Sequence, residues 1–168
     1  MKYFKIAATA GLLLTPILAS MAQTTPPGGG APGAGTPVSV SVTADKKTYQ
    51  AKDPIKLTLT VKNTKSMPVK LLFSSGMKYD FEIRKGKGTT GERVWQWSKG
   101  RMFIQMLQEV SLEPGKSLVF SETYTPGNKD GYGKPLPELA PGTYTGTGIL
   151  AISGRMPRPM ASVGFTVK

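Results

Sequence analysis

Apolar and polar residues alternate with a period of two along most of the chain after residue 37. Val38, Val40 and Val42 are separated by serines, and the apolar residues of 55–61 are separated by one lysine and two threonines. Successive side chains of a strand point to opposite faces, so this alternation predicts antiparallel strands with one face on a core and the other in solvent. Turn-forming residues such as Lys52-Asp53-Pro54 separate these runs.

The same pattern predicts further strands at 69–74, 79–85, 93–97, 116–124, 142–153 and 161–167. Glycine or proline lies in almost every gap, and only 102–108 suggests a short helical turn. Seven to nine strands at intervals of roughly ten residues in one domain predict an immunoglobulin-like antiparallel β-sandwich. A small closed barrel is the structural alternative.

One predicted strand carries both tryptophans of the chain, Trp95 and Trp97. Because they are two residues apart, a strand places both on the same face. They either fill a core layer, with about 200 Å² of each side chain buried, or form an aromatic face that binds protein or carbohydrate. Burial is the favoured interpretation, because the flanking predicted strands are apolar.

The strand before the tryptophans contains Tyr79, Phe81 and Ile83, which alternate with two acidic residues. Phe81 and Ile83 are predicted core residues. Asp80 is predicted to accept hydrogen bonds in a turn or across strands, because no cluster of acids accompanies it as a metal site would require. Gly76 stands where the chain turns into this strand and is predicted to adopt a positive φ.

Residues 1–37 carry targeting and linker signals in place of strands. A basic start, an apolar stretch at 6–18 and small residues up to Ala22 are typical of a secretory signal peptide, residues 1–22. That stretch is short for a membrane span, so no transmembrane segment is expected in the mature chain. The Gly/Pro-rich residues 23–37 predict a flexible tether to a folded domain at 38–168. The mature protein is expected to be secreted or periplasmic.

The chain contains neither cysteine nor histidine. It therefore forms no disulfide. Its composition also excludes Ser-His-Asp and Cys-His nucleophile systems and histidine-ligated zinc or iron sites. Its ten carboxylates are scattered and suggest no shared cleft. We expect no enzymatic activity, no cofactor and no metal site.

Basic residues outnumber acidic ones by 22 to 10, which gives a formal net charge of +12. Such a surface attracts anionic partners. For an exported protein these are anionic polymers or lipids of the cell envelope, and nucleic acid is not an expected partner. The lysines are spread along the strands without a dense block, which is also typical of a soluble cationic surface.

Several phrases of the sequence occur together in one known family. The most specific are Ser-Gly-x-x-Tyr-Asp-Phe at 75–81 and Val-Trp-x-Trp-Ser-x-Gly at 94–100, supported by Phe-Ile-Gln at 103–105 and Pro-Gly-Thr-Tyr at 141–144. With these phrases the chain resembles, over roughly 38–153, the BsuPI family, named for an intracellular proteinase inhibitor of bacilli. The resemblance implies an immunoglobulin-like sandwich that binds and blocks a serine proteinase. The predicted signal peptide departs from the intracellular namesake.

A proteinase-binding domain is expected to present an exposed loop that is held rigid before binding. Arg155, Met156, Pro157 and Arg158 form the candidate partner-binding loop, because prolines at 157 and 159 stiffen it. A longer loop at 125–135 is the other candidate. The second functional hypothesis is a structural or envelope-associated module that interacts through its basic surface.

Overall fold

A computed structural model of the protein describes residues 38–154 and 158–168. The regular secondary structure of these residues is entirely strand. The strands are β1 (Val38–Ala44), β2 (Thr48–Tyr49), β3 (Ile55–Asn63), β4 (Val69–Phe73), β5 (Tyr79–Lys85), β6 (Arg93–Gln96), β7 (Gln108–Leu112), β8 (Ser117–Tyr124), β9 (Gly142–Leu150) and β10 (Met160–Val167).

The strands form a three-stranded sheet in the order β1-β3-β8, a five-stranded sheet in the order β2-β10-β9-β5-β6, and a two-stranded sheet of β4 and β7. All pairings are antiparallel except that of the short β2 with β10. The predicted immunoglobulin-like sandwich is therefore confirmed. The strand count rises to ten because it includes the two-residue β2 and the unpredicted β7.

The helical turn predicted at 102–108 is wrong. Residues 102–107 have no regular secondary structure, and Gln108 begins β7. β7 pairs with β4 in a register that joins Gln108 to Phe73 and Leu112 to Val69. A helix that included Gln108 would remove its backbone pairing with Phe73, so the sheet pairing prevails over local preference at this residue.

The core lies between β3 on one side and β5 with β9 on the other. Leu57 and Leu59 of β3 are fully buried, as are Phe81 and Ile83 of β5, so the predicted core residues are confirmed. Each such side chain contributes about 1.5–3 kcal/mol through removal of apolar surface from water. Alternation of apolar and polar residues in β3 and β5 thus places their apolar faces toward each other.

Two glycines in β9 leave the space that the opposite sheet fills. A Cβ on Gly148 would lie 2.6 Å from Cγ2 of Val42, and one on Gly146 would lie 2.8 Å from Cδ2 of Leu57. The close approach of the sheets at this point therefore requires residues without a side chain. Large residues in β1 and β3 complement small ones in β9.

The start of β9 is fastened to the preceding loop by a tyrosine. The hydroxyl of Tyr144 donates a hydrogen bond of 2.7 Å to the backbone oxygen of Ala140. A tyrosine near the start of this strand that bonds a few residues upstream is a recurrent feature of immunoglobulin-like sandwiches. This hydrogen bond gives the Pro-Gly-Thr-Tyr phrase at 141–144 a structural role, because it holds the chain in place where β9 begins.

Candidate functional site

Three loops meet at one end of the five-stranded sheet. β5 begins where β9 ends, because Tyr79 pairs with Leu150. β10 begins at the same place, because Met160 pairs with Ile149. The carboxylate of Asp80 contacts the residues that follow β6. We refer to this end, with the loops 74–78, 97–107 and the described part of 151–159, as the loop end.

Asp80 is buried and joins β5 to the chain that leaves β6. Its Oδ1 accepts hydrogen bonds from the backbone N–H of Phe81 at 2.9 Å and of Ser98 at 3.0 Å. Its Oδ2 accepts from Nε2 of Gln96 at 2.7 Å and from Oγ of Ser98 at 2.5 Å. The predicted role of Asp80 as a cross-strand acceptor is confirmed. The bonds also explain why the Tyr-Asp-Phe and Trp-x-Trp-Ser phrases occur together.

Trp95 belongs to the core. Its side chain is only 8% exposed, and its indole meets the ring of Tyr124 edge-on, with 5.6 Å between centroids. Of the predicted aromatic face, only Trp97 reaches the surface, where it is half-buried. β6 ends at Gln96, so Trp97 lies one residue beyond the regular strand that holds Trp95.

Trp97 is the centre of a group of packed rings at the loop end. Tyr79 stacks on it with 4.7 Å between centroids and also stacks on Phe120 of β8 at 4.5 Å. Phe103 packs against Trp97 at 5.6 Å in a tilted arrangement. We call Phe120, Tyr79, Trp97 and Phe103 the aromatic stack. It ties loop 97–107 to both sheets of the sandwich.

The hydroxyl of Tyr79 is held by an acid of the opposite sheet. It donates a hydrogen bond of 2.6 Å to Oε1 of Glu122. Burial raises the pKa of Tyr79 well above its ordinary value, and the hydrogen bond and charge of Glu122 raise it further. Tyr79 is therefore a neutral donor under physiological conditions and anchors the stack in one position.

Residues 102–107 place large apolar side chains in solvent, and we call them the apolar segment. Met102 is 99% exposed, Ile104 68% and Leu107 70%. The hydrophobic pattern of the sequence did not predict this site. The available signal was the run Met-Phe-Ile-Gln-Met-Leu, which is apolar at neighbouring positions and so cannot direct all of its side chains into one core. Contiguous exposed apolar residues of this kind mark interaction sites.

Gly76 holds the apolar segment from the neighbouring loop. Its backbone N–H donates a hydrogen bond of 2.9 Å to the backbone oxygen of Ile104. The positive φ predicted for Gly76 is wrong, since this residue is not among the glycines with a left-handed backbone. The glycine is explained by proximity, because a Cβ would lie 3.3 Å from Cγ1 of Ile104.

A second contact fixes the other end of the segment. Gly100 has a φ of +75°, and a Cβ there would lie 2.7 Å from the backbone carbon of Gly131. The two backbones can approach only because both residues are glycine. A groove of about 410 Å³ lies at this contact, lined by 100–103 and 129–131. The loop 125–135 therefore joins the candidate site through its central part.

The charges beside the apolar segment are mostly basic. Lys99, Arg101 and Lys129 are exposed there, and we call them the basic rim. The one acid that lines the groove, Asp130, already accepts hydrogen bonds from the backbone N–H groups of Tyr132 and Lys134, both at 2.9 Å. The rim is thus suited to a partner surface that carries acidic groups.

The predicted partner-binding loop is described only in part. Arg155, Met156 and Pro157 lie outside the described residues, whereas Arg158 is described and exposed. The base of this loop is tied by a hydrogen bond of 2.8 Å from the N–H of Leu150 to the backbone oxygen of Pro159. Its role stays a prediction, but the base of the loop lies at the loop end, as the apolar segment does.

Within 38–154 and 158–168, no group of three or more acidic, histidine or cysteine residues is arranged to hold a metal ion. None of the residues in these ranges belongs to an apolar helix of membrane-spanning length. The predicted signal peptide and tether lie outside the described residues.

The sequence matches a known family over most of this domain. The matching family model is BsuPI, described as an intracellular proteinase inhibitor, and it covers residues 42–154, more than half of the chain. The chain belongs to the BsuPI family. The resemblance seen in the sequence is confirmed, and the match includes the aromatic stack, Asp80 and the apolar segment of this BsuPI domain.

Comparisons with other proteins add no activity to this BsuPI domain. A search of curated proteins found no match. Among solved structures, the sporulation control protein Spo0M of Bacillus subtilis is similar with a TM-score of 0.46 and 15% identity, over 79% of this chain and 50% of that one. A CARDB domain from Pyrococcus furiosus in complex with di-metal ions gives a TM-score of 0.41 and 14% identity, over 78% and 87%. A β-glucosidase from Erythrobacter marinus gives 0.41 and 19%, but this chain spans only 16% of its length.

Proposed function

We propose that this BsuPI domain is an exported, non-enzymatic inhibitor that binds and blocks a serine proteinase of the subtilisin type. The proposal is carried by the apolar segment, in which Met102, Ile104 and Leu107 are 99%, 68% and 70% exposed. The chain belongs to an inhibitor family and keeps these side chains in solvent. Removal of their apolar surface from water would favour the binding of a partner.

The apolar segment is suited to the centre of such an interface. A few large side chains usually provide most of the binding free energy, and a polar rim surrounds them. A typical proteinase–inhibitor contact buries about 800 Å² on each partner. That area exceeds the surface that one short segment can bury, so the neighbouring loop with Arg158 is expected to form part of the interface.

The segment is also held in place before any partner arrives. Ile104 is bonded through its backbone oxygen to Gly76, and Phe103 packs on Trp97. A loop that is ordered in advance loses less conformational entropy on binding and so binds more tightly. The absence of histidine and cysteine from the chain supports a role in binding and not in catalysis.

Export is the second part of the proposal and is supported by the signal-peptide pattern of residues 1–22. Fractionation of expressing cells, followed by mass spectrometry of the mature protein, tests it. We expect the protein outside the cytoplasm with Gln23 as its first residue. A full-length protein in the cytoplasm would contradict this part and leave the inhibition hypothesis unaffected.

Inhibition is tested by titrating the purified protein against a panel of serine proteinases. We expect stoichiometric, nanomolar inhibition of a subtilisin-like member. Replacement of Met102, Ile104 and Leu107 by serine should weaken it by about 100-fold or more, through loss of apolar burial. Serine at Met67 and Val119, which are exposed elsewhere, is the matched control and should leave inhibition unchanged.

A second variant replaces Arg155, Met156, Pro157 and Arg158 with a Gly/Ser sequence of equal length. Weaker inhibition by this variant would show that the predicted loop is also part of the interface with the proteinase. Digestion of the wild-type domain by several proteinases, like an ordinary substrate, would contradict the proposal.

A role on anionic envelope polymer is the second candidate. The net charge of +12, of which only Lys2 and Lys5 belong to the predicted signal peptide, favours it together with the exposed lysines on β3. This function predicts salt-sensitive binding to such polymer or to acidic vesicles. That binding should survive both loop replacements. Binding of this kind without inhibition of any proteinase would favour the envelope function.

A further inference from the structure

Met102 is the most exposed large apolar side chain of the described residues, at 99%. Both of its neighbours pack on the same ring. The guanidinium of Arg101 lies over the indole of Trp97 at 4.7 Å, and Phe103 packs against that indole at 5.6 Å. The chain is therefore held on either side of Met102 while Met102 itself projects into solvent.

We infer that Met102 enters the primary specificity pocket of the target proteinase and that Trp97 holds the flanking residues in position. The inference rests on the proposed function and names the side chain that would determine its target. The pocket must take a long, unbranched and uncharged side chain. A proteinase with a deep apolar pocket fits, and one whose pocket ends in a carboxylate does not.

Arg101 is the competing candidate, because its charge would suit a pocket with a carboxylate. Its side chain is already engaged, however. Nε of Arg101 donates a hydrogen bond of 2.9 Å to the backbone oxygen of Trp97, and its guanidinium covers the indole. Insertion of Arg101 would break both contacts, whereas insertion of Met102 breaks none, since its side chain is almost wholly in solvent. Met102 is therefore the side chain that is free to insert.

The rim charges favour the same kind of partner. Lys99 and Lys129 are exposed near Met102, and Lys129 lines the same groove. The rim of the proteinase pocket is then expected to be acidic, although the pocket itself is apolar. Association should slow as salt is added, because screening weakens the attraction between exposed charges.

The packing of Phe103 on Trp97 also explains how the peptide bond between Met102 and Phe103 would resist net hydrolysis by the bound proteinase. If the proteinase serine attacks the carbonyl of Met102, an ester forms and the bond to the nitrogen of Phe103 breaks. The proteinase's general base passes the serine proton to the leaving amine. Because Phe103 stays packed on Trp97, that amine remains beside the ester and attacks it again. The peptide bond re-forms and the serine recovers its proton, so Trp97 is a positioning residue.

The pocket assignment is tested with Met102→Lys and Met102→Leu, compared with Met67→Lys as the matched control. Met67 is 70% exposed in another loop. We expect Met102→Lys to weaken inhibition of a subtilisin-like proteinase by about 100-fold and to create inhibition of a trypsin-like one. Met102→Leu should retain most of the inhibition. Met67→Lys should match the wild type against both.

Oxidation provides a second measurement on the same residue. Peroxide converts an exposed methionine into a polar sulfoxide, which an apolar pocket binds poorly. Wild-type protein should lose about 10-fold or more in inhibition after oxidation. Met102→Leu should not, although its other exposed methionines are oxidised equally.

The positioning role is tested by Trp97→Ala, with Trp97→Phe as the conservative variant. We expect Trp97→Ala to be cleaved between Met102 and Phe103, which mass spectrometry detects, and to inhibit only transiently. Trp97→Phe should restore resistance to cleavage. Circular dichroism of both variants is the control for folding, and both should give the wild-type spectrum.

The outcomes separate this inference from the proposed function. A wild type that inhibits a proteinase while Met102→Lys changes inhibition less than about threefold would overturn the inference alone. An equal loss in Met67→Lys, or an inhibitory bond mapped elsewhere by mass spectrometry, would do the same. A wild type that inhibits no member of the panel would overturn the proposed function and this inference with it.

Discussion

The ring of Tyr79 lies nearly parallel to the indole of Trp97, with 4.7 Å between centroids and an angle of 25° between the planes. The same tyrosine donates a hydrogen bond to Glu122 in the opposite sheet. One residue at the start of β5 thus connects the loop that contains the apolar segment to β8. The position of the candidate inhibitory segment therefore depends on a contact across the sandwich.

This contact predicts a specific dependence of stability on pH. Burial, with a further contribution from Glu122, raises the pKa of Tyr79 above its ordinary value of 10.0. A raised pKa stabilises the fold fully below the ordinary value, and this stabilisation is lost as the pH rises toward the folded-state value. We expect the free energy of unfolding to fall above about pH 10. Chemical denaturation between about pH 8 and pH 12 measures it.

Burial also raises the pKa values of Tyr49, Tyr124 and Tyr144, so two variants are needed to isolate the contribution of Tyr79 to this fall. Tyr79→Phe has no hydroxyl to ionise, so its stability should decrease less steeply with pH. Glu122→Gln should reduce the slope by a smaller amount, because burial is the larger cause of the raised pKa. A Tyr79→Phe variant with the wild-type slope would contradict this assignment.

Asp80 is predicted to be among the most sensitive polar positions. Asp80→Ala leaves the donors of Ser98 and Gln96 without their acceptor, and we expect a loss of about 3 kcal/mol in the free energy of unfolding. Asp80→Asn retains one acceptor oxygen and should lose about half as much. Urea denaturation gives both values. Glu113→Ala, at an exposed acid, is the control and should lie within about 0.5 kcal/mol of wild type.

Gly148 is predicted to tolerate no side chain. A methyl group there would lie 2.6 Å from Cγ2 of Val42, so Gly148→Ala should destabilise the fold by about 1–3 kcal/mol. Gly164→Ala on the neighbouring strand is the matched control, because its nearest neighbour would be 4.0 Å away. Val42→Ala combined with Gly148→Ala should recover part of the loss. Equal effects of the two single glycine variants would show that the sheets do not approach as closely as described.

Gly100 is predicted to be required both for its positive φ and for the close approach of Gly131. Comparison with Gly115 separates these two effects. Gly100 and Gly115 have similar positive φ values of +75° and +72°, but only Gly100 has a close neighbour, the backbone of Gly131. Gly115→Ala should cost about 1 kcal/mol through backbone strain alone. Gly100→Ala should cost at least about 1 kcal/mol more. Thermal unfolding compares them, and similar losses would rule out an energetic role for the contact with Gly131.

The strands of this domain could be predicted because their pattern is local. Leu57 and Phe81 are buried at positions that alternation alone identifies. Residues 108–112 are less regular in sequence. Their strand forms because β4 supplies hydrogen-bond partners from 35 to 43 residues earlier, as Phe73 pairs with Gln108 and Val69 with Leu112. The sequence signal for β7 was weak because its partner is distant.

The candidate site could be predicted only in part. Spacing placed Trp95 and Trp97 on one side of the chain, but their depths differ because Tyr124 covers the first and Tyr79 stacks on the second. Asp80 was recognised as an acceptor, although its partners were not. Met102 gave no signal of its own, since an apolar residue in a sequence is as readily assigned to a core as to a surface.

The all-β class, the core positions of β3 and β5, the absence of histidine and cysteine chemistry, and the family can all be read from the amino-acid sequence. Those properties follow from residue type and from a period of two, both of which are local. Which apolar residues stay in solvent, and which glycines allow the sheets to approach closely, depends on how the strands pack. Burial depends on what packs from distant strands, and so the exposure of Met102 between two neighbours held on Trp97 emerges only when the sheets are assembled.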